Sequence, residues 1–192
     1  MSLDYELRLE TNFNSNNIYD ILSNQFDLQP GEDQRLFNSG IIIGVSPEKP
    51  ATQYLMLENY GFKPTIDVWF RLKHQDEKIL GKQTLLNVSI LLLSQISGDA
   101  VLLFNSEKTV LQRISGVLIF NQKPETWQDS ELSQVELNYH VKPLKSPLLG
   151  DPSPKIAIQP AIYSRLQALA ISQGKSLKQL TNDVLKAGLI NE

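Results

Sequence analysis

The chain has 192 residues, 41% of them hydrophobic, and a formal net charge of -3, which is enough to bury one full-sized core plus a small appendage and too apolar for a disordered chain. It contains no cysteine, which excludes disulfides, thiolate metal sites and cysteine nucleophiles. Its longest aliphatic run, Ile90 to Leu93, is far short of the roughly 20 apolar residues that span a bilayer, and no basic segment followed by an apolar one opens the chain, so a cytoplasmic protein without membrane contact is expected.

The opening LDYELRLE alternates Leu3, Tyr5, Leu7 and Leu9 with Asp4, Glu6, Arg8 and Glu10, the pattern of a half-buried strand. NSNNIYDILSNQF then offers an asparagine or serine cap followed by Ile18, Ile21, Leu22 and Phe26 at helical spacing, ended by LQPGEDQ. From Leu36 to Leu72 the segments LFNSGIIIGV, TQYLMLENYGF and TIDVWFRL read as strands separated by SPEKPA and GFKP. Between Asp76 and Ile96 the period becomes helical, with Gly81 a candidate for the true start. SGDAVLLFNSEKTVLQRISGVLIFNQ supplies three short strands with turns at NSEK and SG. Strands and helices are segregated, so the body is expected to be α+β, mainly antiparallel sheet with one short and one long helix.

Four prolines between Pro143 and Pro154 disfavour both helix and sheet and predict a linker over 142–154, dividing a body at 1–141 from a tail at 155–192. In the tail, KIAIQ reads as a five-residue strand. Pro160 suits the first position of a helix that carries Ile162, Leu166 and Leu169 on one face, and Gly174 stops it. Ser176 and Gln179 form a capping box opening a second helix, with Leu177, Leu180 and Val184 on its apolar face. About 35 residues are too few to bury a core alone, so this unit needs a partner. The charge is divided as well: positions 155–192 sum to +3 and positions 1–154 to -6, which fits a body that meets a basic protein and a tail that meets something anionic, or ordinary solvated surface.

No catalytic constellation emerges. His74 and His140 are 66 residues apart with no neighbour at ligand spacing, the charges of HQDEK suit a helix start, and no nucleophile elbow, phosphate-binding glycine loop or zinc-protease motif occurs. No enzyme activity, cofactor or metal is therefore expected. Trp69 and Trp127 are expected in the core or at its rim.

KIAIQPAIYSRLQALAISQGKSLKQLTNDVLKAGL resembles the ribbon-helix-helix module at the C-terminus of HicB-type antitoxins. That resemblance implies two chains pairing their strands into a ribbon, with a dimer core of Ile156, Ile158, Ile162, Leu166, Leu169, Leu177, Leu180 and Val184. It implies DNA-facing residues at Lys155, Ala157 and Gln159, with phosphate anchors at Lys175, Ser176 and Lys178. A dimer clasp, a DNA reader and helices packed on the body all remain open. The opening MSLDYELRLETN with ISGDAVLLFNSEKTVLQRISGVLIFN resembles the third type of Sit immunity proteins over roughly residues 1–127. That likeness implies a non-enzymatic protein that neutralises a toxin. The loop acids Glu32, Asp33, Glu125, Asp129 and Glu131 are then the candidate contacts, through charge complementarity with a basic toxin. The alternative is a ribbon-helix-helix transcriptional regulator with an N-terminal sensing domain.

Overall fold

The computed structural model describes residues 3–38, 40–73, 78–123, 126–147, 160–175, 180, 181, 183, 184 and 187. The chain divides into two units, Met1–Gly150 and Asp151–Glu192. The first is α+β, as expected, although its helices are interspersed among the strands rather than segregated from them. Its elements in order are β1 (Leu3–Leu9), α1 (Ser15–Gln25), β2 (Gln29–Pro30), β3 (Arg35–Phe37), β4 (Ile41–Pro47), α2 (Pro50–Tyr60), β5 (Ile66–Leu72), α3 (Lys78–Gln95), β6 (Ala100–Phe104), β7 (Lys108–Ile114), β8 (Val117–Asn121), α4 (Asp129–Leu132) and β9 (Tyr139–Lys142). A short 3-10 turn at Glu32–Gln34 joins β2 to β3.

The nine strands form one sheet in the order β2-β3-β4-β5-β1-β6-β7-β8-β9. Every pairing is antiparallel except β8 with β9. The parallel pair is reached through a crossover that contains α4, as parallel neighbours require. The N-terminal strand lies in the middle of the sheet, between β5 and β6.

Because strand side chains alternate, each strand serves both faces. One face collects Tyr5, Leu7 and Leu9 of β1 with Ile41, Ile43, Val45, Val68 and Phe70, and closes against Ile18 and Leu22 of α1 and Leu85, Leu92 and Leu93 of α3. The cap that starts α1 is Asn14, whose side chain accepts from the Asn17 N–H while the Asn17 side chain accepts from the Asn14 N–H. α3 is already helical before Gly81. The glycine is there for packing, because a Cβ would collide with the Gly40 carbonyl oxygen, and this close approach outweighs the roughly 1 kcal/mol that glycine costs a helix.

TQYLMLENYGF, expected as a strand, is helix α2. Pro50 stands at its first turn, where the missing N–H costs nothing, and Gly61 ends it in the left-handed region with its N–H donated to the Leu57 carbonyl. Both end signals are present in the sequence, where proline and glycine equally suit a turn between strands. α2 packs on the second sheet face, where Met56, Phe62, Val101 and Leu103 form a smaller core. Two further elements, α4 and β9, lie where the apolar signal thins. Trp127 holds that stretch in place, stacked edge-on against Phe120 at 5.7 Å with its Nε1 donating to the Lys82 carbonyl at 3.3 Å. Beyond β9 the chain stays on the body: the Leu144 N–H donates to Asn121 Oδ1 at 3.0 Å, the Lys145 carbonyl accepts from Thr109 Oγ1 at 2.7 Å, and Pro147 is buried.

In the second unit, α5 spans Pro160–Ser172. Gly174, at φ +62°, closes it: the Lys175 N–H reaches back to the Ala170 carbonyl at 3.0 Å, the long-range bond of a Schellman ending. Leu180, Thr181, Asp183, Val184 and Ala187 are helical. Ile156, Ile158 and Leu177 lie outside the described residues.

Candidate partner-binding surfaces

The register of the central strands assembles the second sheet face row by row. One row runs Phe37, Ile42, Arg71, Asp4; the next runs Arg35, Gly44, Trp69, Glu6, Leu103; a third runs Ser46, Asp67, Arg8, Val101. Trp69 lies against Gly44, where a Cβ would sit 3.3 Å from the indole. The Arg71 guanidinium stacks over the same ring at 4.8 Å and binds both Asp4 oxygens, at 2.8 and 3.0 Å.

In the third row Arg8 is buried. It donates to Glu48, from the β4–α2 loop, and to Glu6 at 2.9 Å, while Asp67 stands opposite it on β5. The Ser106 hydroxyl lies 2.7 and 2.8 Å from the two Glu6 oxygens, with its one proton to donate between them. Burial alone would lower the Arg8 pKa, but Asp67, Glu48 and Glu6 hold it above the ordinary arginine value. Asp67 behaves in the opposite sense. Burial pushes its carboxyl up to about 7 despite the pull of Arg8, and Glu48 and Glu6 add to the rise. Its Oδ1 and Arg8 Nε are buried without a hydrogen-bond partner among the described residues. Alternation alone places Arg8 on the solvent side of β1, so no local pattern in the sequence marks this cluster.

The acids singled out by loop position fall at opposite ends of the sheet. Glu32 and Asp33 lie between β2 and β3 at one edge, with Asp33 itself left-handed at φ 56°. Asp129 and Glu131 lie in α4, before the strand at the other edge. Glu131 accepts from the Gln128 N–H at 2.7 Å, which caps its own helix. It also forms part of the wall of a groove of about 340 Å³ between α3 and the segment after α4, where Phe26, Ile90, Leu91, Val135 and Leu137 supply the apolar lining. Asp129 and Glu131 line a second, adjoining cavity of about 910 Å³. Glu125 lies outside the described residues.

In the C-terminal unit Lys175 pairs with Asp183 at 2.9 Å. Leu180 is buried, Leu166 is half-buried, and Ile162, Leu169 and Val184 are exposed. Lys155, Ala157, Gln159, Ser176 and Lys178 lie outside the described residues, as does His74. His140 is exposed on β9. Among the described residues no group of three His, Cys, Asp or Glu side chains is placed to hold a metal ion, and no helix is long and apolar enough to cross a membrane.

Fold and surfaces together define an α+β protein built on one mostly antiparallel sheet, with one face closed by α1 and α3 and the other only partly covered by α2. Residues 3–131 match the SitI3-like family model, and the chain belongs to that family, a group of Sit-type immunity proteins. The matched region ends before β9 and before the C-terminal unit. No curated protein and no solved structure gives a significant match.

Proposed function

We propose that the protein neutralises a toxin by binding it through the body, without catalysis, and that the C-terminal unit joins two chains. Membership of the SitI3-like family over residues 3–131 carries the first part. The negative charge of the body supports a basic partner, because a complementary field speeds encounter and disfavours wrong partners. The expected result is that the full-length chain, expressed beside the toxin that it captures from its own cells, restores growth, and that the two purify as a nuclease-resistant complex. A captured protein that is harmless without this chain would overturn the reading.

The dimer proposal is supported by α5, which leaves Ile162, Tyr163, Leu169 and Ile171 exposed. An apolar helix surface of this kind is the usual signature of a missing partner. Deleting residues 155–192 is expected to convert a dimer into a monomer, read by light scattering on the eluting protein as a change from twice the mass of one chain to the mass of one truncated chain. A truncated chain that still runs at twice its own mass, or a full-length chain that is already a monomer, would remove the clasp. The proposed toxin contact predicts that the truncated body still protects cells, with lower avidity.

A further inference from the structure

We propose that the groove between α3 and residues 131–137 is the surface that grips the toxin, and that it takes a protein segment with apolar side chains along one side and lysines or arginines flanking them. The inference rests on the toxin-binding reading and adds to it a place on the molecule and a partner chemistry.

The first observation is shape and lining. Phe26 after α1, Ile90 and Leu91 on α3, and Val135 and Leu137 after α4 line a depression of about 340 Å³. All five of these side chains are only half-buried by their own chain. Apolar area left open in a concave site is what a partner's apolar side chains remove from water.

The second observation is charge. The polar part of the lining holds Glu131 and Glu136, and the rest is neutral, from Gln83, Asn87, Ser94 and Gln134. Among the described residues no lysine, arginine or histidine lines it, and neither carboxylate forms a salt bridge to one of them. Lys82, which lines the adjoining cavity, donates to the Thr126 carbonyl at 3.1 Å. The second sheet face differs in this respect: Arg71 is already matched by Asp4 and Arg8 by Glu48 and Glu6. A charged rim with no counter-ion among the described residues, around an apolar floor, selects a partner of the opposite sign.

The test uses the full-length chain and two fluorescent 18-residue amphipathic helical peptides, one of leucine and lysine and one of leucine and glutamate, followed by fluorescence anisotropy at low and high salt. The leucine–lysine peptide is expected to bind the native chain, more weakly as salt rises, and the leucine–glutamate peptide is not. The double variant Asn87→Lys/Glu136→Lys leaves the α4 cap untouched and places two cations on the rim. It is expected to lose at least tenfold in affinity for the leucine–lysine peptide with an unchanged melting temperature, and to lose protection in the growth assay. Equal binding of both peptides, or binding and protection indifferent to the double variant, would overturn the groove. Failure of the native chain to protect cells from any captured protein would instead overturn the toxin-binding reading, and with it the partner assigned to the groove.

Discussion

Replacing Arg8 by alanine is expected to lower the stability of the body by about 3–5 kcal/mol, the usual cost of removing one partner from a buried ionic cluster. The side chain is the only cation hydrogen-bonded to Glu48 and Glu6 among the described residues, and it also faces Asp67 across the β1–β5 pair. Its loss leaves three carboxylates close together beneath the start of α2, with burial opposing the charge on each. The comparison that isolates charge is Arg8→Lys, which keeps the cation and loses the fork that reaches Glu48 and Glu6 at once. It is expected to be intermediate. Urea midpoints at pH 7, with unchanged slopes, measure both. An alanine variant within about 1 kcal/mol of the native chain would show that the cluster is effectively solvated.

The second large effect runs the other way. Asp67→Asn is expected to stabilise the protein at pH 8, by up to about 4 kcal/mol, given about 1.4 kcal/mol for each unit by which a pKa is displaced. The folded carboxyl titrates near 7, above its ordinary value of 3.8, chiefly because it is buried. The folded state therefore holds a proton that the unfolded state has released between about pH 4 and pH 7. Stability contributed by this group is greatest below the unfolded value, falls as pH rises through that window, and is lowest above the folded value. Asparagine has no proton to lose, so its advantage should be full at pH 8 and vanish towards pH 4. Arg8 keeps Glu48 and Glu6 in the variant, so no cation is stranded. Denaturation at a series of pH values reads the difference directly, and a difference that does not change with pH would assign the effect to packing alone. Lys49 and Arg8 are the cations acting on Asp67, and Glu48 and Glu6 the anions. Variants at those positions should move the midpoint in the corresponding direction.

Much of the fold was legible wherever one physical signal dominated. Alternation identified β1, and the turns NSEK and SG separated β6, β7 and β8, whose hairpins carry Asn105, Ser106, Ser115 and Gly116 at positive φ. Helical periodicity identified α1 and α3, and Gly174 marked the end of α5. α2 was misread because its apolar residues do not lie on one clean stripe. Only Met56 is fully buried, while Tyr54 and Leu57 are exposed. β9 escaped because Tyr139 to Lys142 is short, exposed at three of its four positions and set among polar residues, so its pairing to β8 is what makes it a strand. The candidate surfaces divide in the same way. Asp129 and Glu131 were visible as loop acids, but the place of Glu131 in the groove, and of both in the adjoining cavity, depends on Trp127 holding the following segment near α3.

By itself, the sequence determined the local periods, the turns, the acidic body and the basic tail, because each is set by neighbours a few residues apart. Only the tertiary structure decided that β1 would lie at the centre of the sheet and that Arg8, on its polar face, would be covered. LDYELRLE places Arg8 opposite its apolar face, where solvent is the default expectation. The loop bearing Glu48, 40 residues away in sequence, brings a carboxylate onto it instead. Burial of a charge is a property of whatever packs over it, and no period in a single strand records that.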